Sequence, residues 1–436
     1  MNFAICKVLA VFLFFSRVGS VPFDLAERNG NGGHRHSHWV DIWTAMPQLT
    51  EPYNLPPPPF DSTDIIFDNS TIRQTIYTTL DADQIRLRLS NGFGVEELSV
   101  TRVTISRPLH GQAGVAASEQ GTMEQLSFSG KTSIIIPNEG LAVSDPVDFP
   151  VKAQTNLMVS IYLEQGQKGG AITGHPGSRT TSWMAFGDWA GAGNLTDPSV
   201  TSVNHWYYVS ALEGRLPQYT SSFAIIGNSI TDGHGSHTNQ NDRWPNLLVG
   251  KMQNHRPTST IAVLNQAAGG NRILHDGLGP NVISRIDRDV LAHSGVRYAM
   301  IWEGVNDIGV ADPDPATQRK IGNRLIAAFE QIAIRIHALE IPMFGATITP
   351  FGTPPGSNVT QGYSHPEREK TRQRVNEWIR TSHVFDTVLD FDKVLRDPNE
   401  HSQLAPEYDL GDHLHPNVNA YHALVDYFPL RIFSRW

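Results

Sequence analysis

Phe223-Ala224-Ile225-Ile226-Gly227-Asn228-Ser229-Ile230-Thr231-Asp232-Gly233 is the stretch from which the rest of the chain is read. Four apolar residues closed by a glycine predict a short, fully buried strand of a parallel sheet. The turn at Gly227-Asn228 then sets Ser229 just past the strand's carboxyl end, the edge of an open α/β sheet where ligands bind. A serine there is a nucleophile if a base can take its proton. Otherwise the stretch is an ordinary βα turn whose Asn or Ser caps the next helix.

Downstream the pattern repeats. Strand-like apolar runs at 223–227, 261–265, 297–302, 341–347 and 385–390 alternate with helical segments. The clearest helix is expected around 316–339, with Ile321, Leu325, Ala328, Ile332, Ile336 and Leu339 along one face. A second, at about 365–382, holds Trp378 and Ile379, and a last one follows Pro416. This alternation predicts an α/β fold, a parallel sheet with helices on both faces. Successive strand ends then share one edge, so residues far apart in the chain converge there.

Four of those ends, or the loops beyond them, carry groups suited to acyl transfer. Ser229 follows the first strand. Asn265-Gln266-Ala267-Ala268-Gly269-Gly270-Asn271-Arg272 follows the second, and its glycine pair lets backbone N–H groups approach a substrate. Glu303-Gly304-Val305-Asn306-Asp307 follows the third, with Asn306 offering a side-chain amide, and Asp412-His413-Leu414-His415-Pro416 lies near the C-terminus. In this set Ser229 is the nucleophile and His415 the base; Asp412, three residues earlier, fixes the imidazole tautomer. The N–H groups of Ser229 and Gly270 and the Asn306 amide form the oxyanion hole, each such donor contributing roughly 3 kcal/mol. His413 is the rival base, although its adjacency to Asp412 points it elsewhere. Taken singly, each block also has a plain structural use: a capped turn, a flexible loop, a helix cap, a surface turn. Trp244 and Trp302, close by in sequence, serve either as core packing or as walls of a sugar or acyl pocket.

Upstream of about residue 215 the grammar differs. Gln84-Ile85-Arg86-Leu87-Arg88-Leu89-Ser90 alternates strictly, with Arg86 and Arg88 on what reads as a solvent face. Asn91-Gly92 reads as a tight turn leading into Leu98, Val100, Val103 and Ile105. Further apolar runs at 133–136, 157–163 and 206–212, and no helical period, predict an all-β, jelly-roll-like sandwich at 39–215 before the α/β domain at 216–436. Lys7, the apolar run from Val8 to Phe15 and Val18-Gly19-Ser20 have the pattern of a secretory signal peptide at 1–20, too short to span a bilayer. A flexible polar leader is expected at 21–38; its alternating His34, His36 and His38 lack further ligands for a metal site. Pro56 to Pro59 read as a polyproline II loop.

Cleavage at residue 20 removes Cys6, the single cysteine, and with it disulfides, thiolate nucleophiles and thiolate metal sites. It also removes Lys7 and Arg17, taking the net charge from −9 to −11, which disfavours nucleic acid and anionic lipid as partners. With 39% hydrophobic and 18% charged residues, the 436-residue chain reads as a secreted, extracellular globular protein. Asn69, Asn194 and Asn358 head acceptor sequences for glycosylation.

Together the four blocks resemble the SGNH (GDSL-type) hydrolase superfamily over about residues 223–428. The resemblance implies a catalytic Ser229, oxyanion donors at Gly270 and Asn306, and an Asp412–His415 pair. It further implies a flavodoxin-like three-layer α/β/α domain that uses no metal or cofactor. The longer runs from Gly227 to Gly233, Gly270-Asn271-Arg272 and Glu303 to Gly309 are similar to a secreted two-domain branch with a β-rich N-terminal domain. Arg88-Leu89-Ser90-Asn91-Gly92-Phe93-Gly94 looks like part of that domain. The usual Gly-Asp-Ser is Gly-Asn-Ser here, and Asn228 is expected to hold the turn by side-chain hydrogen bonding. The expected reaction is ester hydrolysis through an acyl-enzyme on Ser229, with a short, acetyl-type ester as substrate. Placing that ester on a polysaccharide is fold-level analogy with sugar-binding sandwiches. A lipase or lysophospholipase for longer chains, acyl transfer to an alcohol, and a non-catalytic carbohydrate-binding protein are the alternatives. The sequence leaves the oligomeric state open.

Overall fold

Two large and two small antiparallel sheets and one parallel sheet make up the fold in a computed structural model that describes residues 37–62 and 64–436. The expected signal peptide, Cys6 and the leader up to residue 36 lie outside the described residues. Strand β1 (Ser37–Thr44) begins within the last two residues assigned to that leader.

The antiparallel part is built from β1, β2 (Ile65–Thr78), β3 (Ala82–Ser90), β4 (Arg102–Ser106), β5 (Val147–Val151), β6 (Thr155–Lys168), β7 (Ser182–Phe186) and β8 (Val209–Pro217), with shorter strands at the edges. One sheet runs β1-β8-β3-β5; in the other, β7-β2-β6-β4 form the centre. In β3 the expected alternation holds: Ile85, Leu87 and Leu89 are buried and join Ile72, Ile76, Val159 and Ile161 of the second sheet in one core. Among the described residues no α-helix precedes Ser229.

The tight turn at Asn91-Gly92 is present, the Gly94 N–H donating to the Asn91 carbonyl at 3.1 Å, but it does not pair β3 with the strand Leu98–Val100, which pairs instead with Ile134–Ile136. The Asn91 side chain is fully buried; its amide donates to the carbonyls of Glu96, Ile136 and Pro137, which holds residues 91–97 as a wide loop. Nor do Arg86 and Arg88 form a free solvent face. Both pair with the buried carboxylate of Glu213 across the β3–β8 ladder, and Arg88 also reaches Ser294 Oγ at 2.9 Å in the parallel part.

The parallel sheet contains β9 (Ser221–Gly227), β10 (Ile261–Ala267), β11 (Val296–Trp302), β12 (Met343–Ala346) and β13 (Thr387–Leu389), in the order β10-β9-β11-β12-β13. The chain thus winds one way from β9 to β10 and the other way from β11 onward, so the topological switch lies between β9 and β11. Alternate residues feed two cores. Phe223, Ile225, Met300 and Phe344 pack with Trp244 and Leu248 of helix α2 (Trp244–Gln253). Ala224, Ile226, Ala299 and Ile301 pack with Leu325, Phe329, Ile332 and Ile336 of the later helix Pro315–His337. That helix ends at His337, so the expected stripe stops at Ile336 and Leu339 is exposed. Trp244 and Trp302 are core residues, with ring centroids 6.2 Å apart.

Residues 37–436 form one compact unit. Ala262 and Leu264 of β10 belong to the core of the antiparallel part, so that strand is shared by both. Among the described residues no helix is long and apolar enough to cross a membrane.

Candidate active site

Gly227 ends β9 where a Cβ would lie 2.5 Å from the Thr231 side chain, so a glycine is required for the turn. Asn228 is extended; its Oδ1 accepts the N–H of Ile230 at 3.1 Å and so caps the short helix α1 (Ser229–Asp232). Its Nδ2 reaches the end of β11, 3.3 Å from Glu303 Oε2 and 3.4 Å from the Trp302 carbonyl. Gly233, at φ 99°, closes α1 by donating its N–H to the Ser229 carbonyl. Ser229 is thereby held at the first position of α1, next to the switch point.

Ser229 Oγ lies 2.8 Å from His415 Nε2, and His415 Nδ1 lies 2.6 Å from Asp412 Oδ2. Asp412 Oδ1 accepts the backbone N–H groups of Leu414 and His415 at 3.0 and 2.8 Å, while the buried Leu414 anchors the loop in the core. Burial opposes ionisation of Asp412, but these donors and the His415 ring outweigh it and hold the carboxyl well below the usual carboxylate range. With the Nδ1 hydrogen donated to Asp412, Nε2 of the neutral ring is free to accept the Ser229 proton.

Gly270 has a φ of 67° in the loop after β10. Among the described residues neither its N–H nor that of Ser229 has a hydrogen-bond acceptor. Asn306 lies on helix α3 (Val305–Val310) after β11 and is buried. One amide hydrogen goes to the Asn271 carbonyl at 2.8 Å, while Tyr363 donates its hydroxyl to Asn306 Oδ1 at 3.1 Å. These two contacts fix which way the amide faces and leave its second hydrogen available. Asp307 accepts the N–H groups of Ile273 and Leu274, both at 2.9 Å, and the fully buried Arg285 grips Asn271 Oδ1. The Gly270 loop is therefore tied to α3 and to the core.

Two buried carboxyls sit behind the site. Desolvation raises Glu303 to about 8, with Arg285 pulling the other way, and raises Asp307 to about 6 against its two backbone donors. In front of it, the His234 ring packs 4.0 Å from the His415 ring, centroid to centroid. Burial, with His415 and Arg179 beside it, lowers His234 to about 4. Arg179, from the loop before β7, donates to His234 Nδ1 at 3.2 Å, so the hydrogen of the neutral ring is on Nε2. Donor atoms of His234, Asp412 and His415 lie within 4.8 Å of one another, a spacing a metal ion could bridge. His415 and Asp412 are already engaged with each other and with Ser229.

The structure brings Ser229, His415 and Asp412 into hydrogen-bonding contact, and carries Gly270 and Asn306 on the loop after β10 and on α3 after β11, the two strands next to β9. His413 points away, to Asp409 and Ser357. Tyr363, Arg179 and His234 escaped the sequence reading. Tyr363 and Arg179 lie in loops without a motif, and only the nearness of His234 to Ser229 in the chain could have signalled it. The Asn69, Asn194 and Asn358 side chains, at the three acceptor sequences, are exposed.

Residues 225–423 match the model of the GDSL-like Lipase/Acylhydrolase family. No curated protein matches the chain. Among solved structures, the chain is similar to an acetylxylan esterase from Geobacillus stearothermophilus, at 19% identity over 49% of this chain and 94% of that one, with a TM-score of 0.36. It is also similar to a GDSL-like lipase from Bacteroides thetaiotaomicron, at 16% identity over 50% and 89% of the two chains, with a TM-score of 0.34. Residues 225–423 constitute a GDSL-like lipase/acylhydrolase domain, and this domain makes the protein a carboxylic ester hydrolase.

Proposed function

We propose that the protein is a secreted serine esterase that hydrolyses short-chain, acetyl-type esters, with acetylated polysaccharide as its natural substrate. The observation that carries this reading is the Ser229–His415–Asp412 relay, with successive distances of 2.8 and 2.6 Å. Ser229 attacks the ester carbonyl while its proton passes to His415 Nε2, and Asp412 stabilises the imidazolium that forms. The oxyanion is received by the Ser229 and Gly270 N–H groups and the Asn306 amide, donors that are free or half-free in the resting site. His415 returns the proton to the leaving alcohol, and water repeats the cycle on the acyl-enzyme.

The polar side chains around Ser229, His234 with Arg179 behind it and Tyr363 beside Asn306, favour a small polar acyl group over a long chain. Trp244 and Trp302 are committed to the core and supply no apolar wall. The three exposed acceptor asparagines suit a glycosylated extracellular protein. The test is hydrolysis of p-nitrophenyl esters from acetate to palmitate. The acetate rate is expected to be highest and to fall at least ~1,000-fold in Ser229→Ala. Rates that peak on long chains would make the protein a lipase; a Ser229→Ala protein with most of its activity would end the assignment.

A further inference from the structure

A second serine relay stands on the same turn as the first. Ser357 Oγ lies 2.6 Å from His413 Nε2, and His413 Nδ1 lies 2.5 Å from Asp409 Oδ2. Asp409 Oδ1 also accepts the N–H groups of His413 and Gly411, at 3.0 and 2.8 Å. This repeats the way Asp412 holds both the ring and the backbone of His415. His413 and His415 flank the buried Leu414, so the turn sends its two imidazoles to two different serines. Ser357 is partly exposed, and the side chains of His413 and Asp409 are each 12% exposed. Around Oγ, the Val359 N–H donates at 3.1 Å, and the Val359 carbonyl lies 3.0 Å away as an alternative acceptor for the hydroxyl.

We propose that Ser357, His413 and Asp409 form a second nucleophilic centre, at which Ser357 is covalently acylated or phosphorylated by small activated esters, separately from Ser229. A serine hydroxyl becomes a nucleophile when an oriented base can take its proton. His413, with Nδ1 held by Asp409, presents the lone pair of Nε2 to that hydroxyl. The Ser357 Oγ bond to the acyl carbon or phosphorus forms as the Oγ–H proton moves to His413 Nε2. The bond to the leaving group then breaks, and that group carries away its electron pair and the proton. No co-reactant is needed. The Val359 N–H steadies the negative charge on Oγ. The inference does not depend on Ser229 being the esterase nucleophile.

The test uses the full chain and diethyl p-nitrophenyl phosphate, which leaves a stable adduct and releases p-nitrophenolate. The native protein is expected to release two equivalents, Ser229→Ala one, Ser357→Ala one, and the double variant none. Peptide mass mapping of Ser229→Ala is expected to place the adduct on Ser357. His413→Gln is expected to slow the Ser357 phase about 100-fold, the usual contribution of a general base, and to leave the Ser229 phase unchanged. Thermal melting shows that each variant is folded. A folded Ser229→Ala protein that releases no p-nitrophenolate, or carries its adduct elsewhere, overturns the proposal. So does an unchanged rate in His413→Gln.

Discussion

Asn228 and Glu303 have to be read as a pair. The Asn228 amide is 3.3 Å from Glu303 Oε2, Glu303 is fully buried, and its Oε1 has no partner among the described residues. An unfolded glutamate releases its proton near 4.5, whereas folded Glu303 holds it to about 8. Between those values the folded state binds more protons than the unfolded one, so stability falls as pH rises through that window. Glu303→Gln lacks this dependence, and its melting temperature is expected to gain on the native protein between pH 5 and pH 8. Installing the aspartate of the usual Gly-Asp-Ser with Asn228→Asp sets a second carboxyl in the same dry spot, where two cannot both ionise. We expect Asn228→Asp to lose about 1–3 kcal/mol at pH 8 and less at pH 5. Adding Glu303→Gln should recover most of that loss. Urea midpoints for the three variants and the native protein check this, and an Asn228→Asp protein as stable as native at pH 8 would sink it.

Beyond the strand ends stand two short elements whose mutual tether would set the geometry of the proposed oxyanion hole. Asp307 on α3 accepts two N–H groups from the loop that carries Gly270. In Asp307→Asn an NH₂ group would face one of those donors, leaving a buried N–H unpaired at a cost of about 1–3 kcal/mol. The loop then loosens, and kcat for p-nitrophenyl acetate is expected to drop about 10- to 100-fold with KM little changed, since the donors act chiefly in the transition state. A normal kcat would show that the tether does not govern the hole. The elements themselves were legible. The runs at 223–227, 261–265 and 297–302 became β9, β10 and β11 because four or more consecutive apolar residues must be buried on both faces. Pro315 and Pro366 open the two long helices, as fixed-φ residues do at a first turn. The strand-end positions of Ser229 and Asn306 followed from strand order alone. Contacts made by long side chains across the fold did not: Tyr363 on Asn306, Arg285 on Asn271, and Arg86 and Arg88 on Glu213 obey no period. The missing strand pairing after the turn at Asn91 has the same cause, since the contacts of its buried amide with Ile136 and Pro137 leave no mark in a sequence.

The antiparallel and parallel parts are stitched together by buried charge as well as by shared apolar surface. His175, in the strand Thr173–His175 of the antiparallel part, places Nε2 2.9 Å from Asp232 Oδ1 on α1, three residues beyond Ser229. Its Nδ1 faces the Met46 carbonyl at 3.0 Å, so both ring nitrogens have an acceptor. The two side chains are 3% and 1% exposed, and Arg243 lies 4.0 Å from the same carboxylate. Burial works against the Asp232 charge, but His175 and Arg243 more than offset it and lower the group below its ordinary range. That contribution is present above the ordinary carboxylate range and is lost as pH falls through the lowered folded value. Asp41 makes a comparable bridge, to His293 Nδ1 at 2.8 Å and the Ser294 N–H at 2.7 Å. With Ala262 and Leu264 in the core of the antiparallel part, neither half can be exposed without stripping the other. Residues 37–436 are therefore expected to unfold in one transition, with tryptophan fluorescence and far-ultraviolet circular dichroism coinciding in urea. His175→Ala strands Asp232 as a buried charge without its imidazole partner, a change that typically costs about 3–5 kcal/mol. The single transition should move to lower urea for both probes together. The deficit relative to the native protein should narrow in acid, once Asp232 is protonated in both proteins. Two separated transitions, or a His175→Ala protein with an unmoved midpoint, would mean that the halves are stable apart and that the helix carrying Ser229 does not depend on the antiparallel sheets.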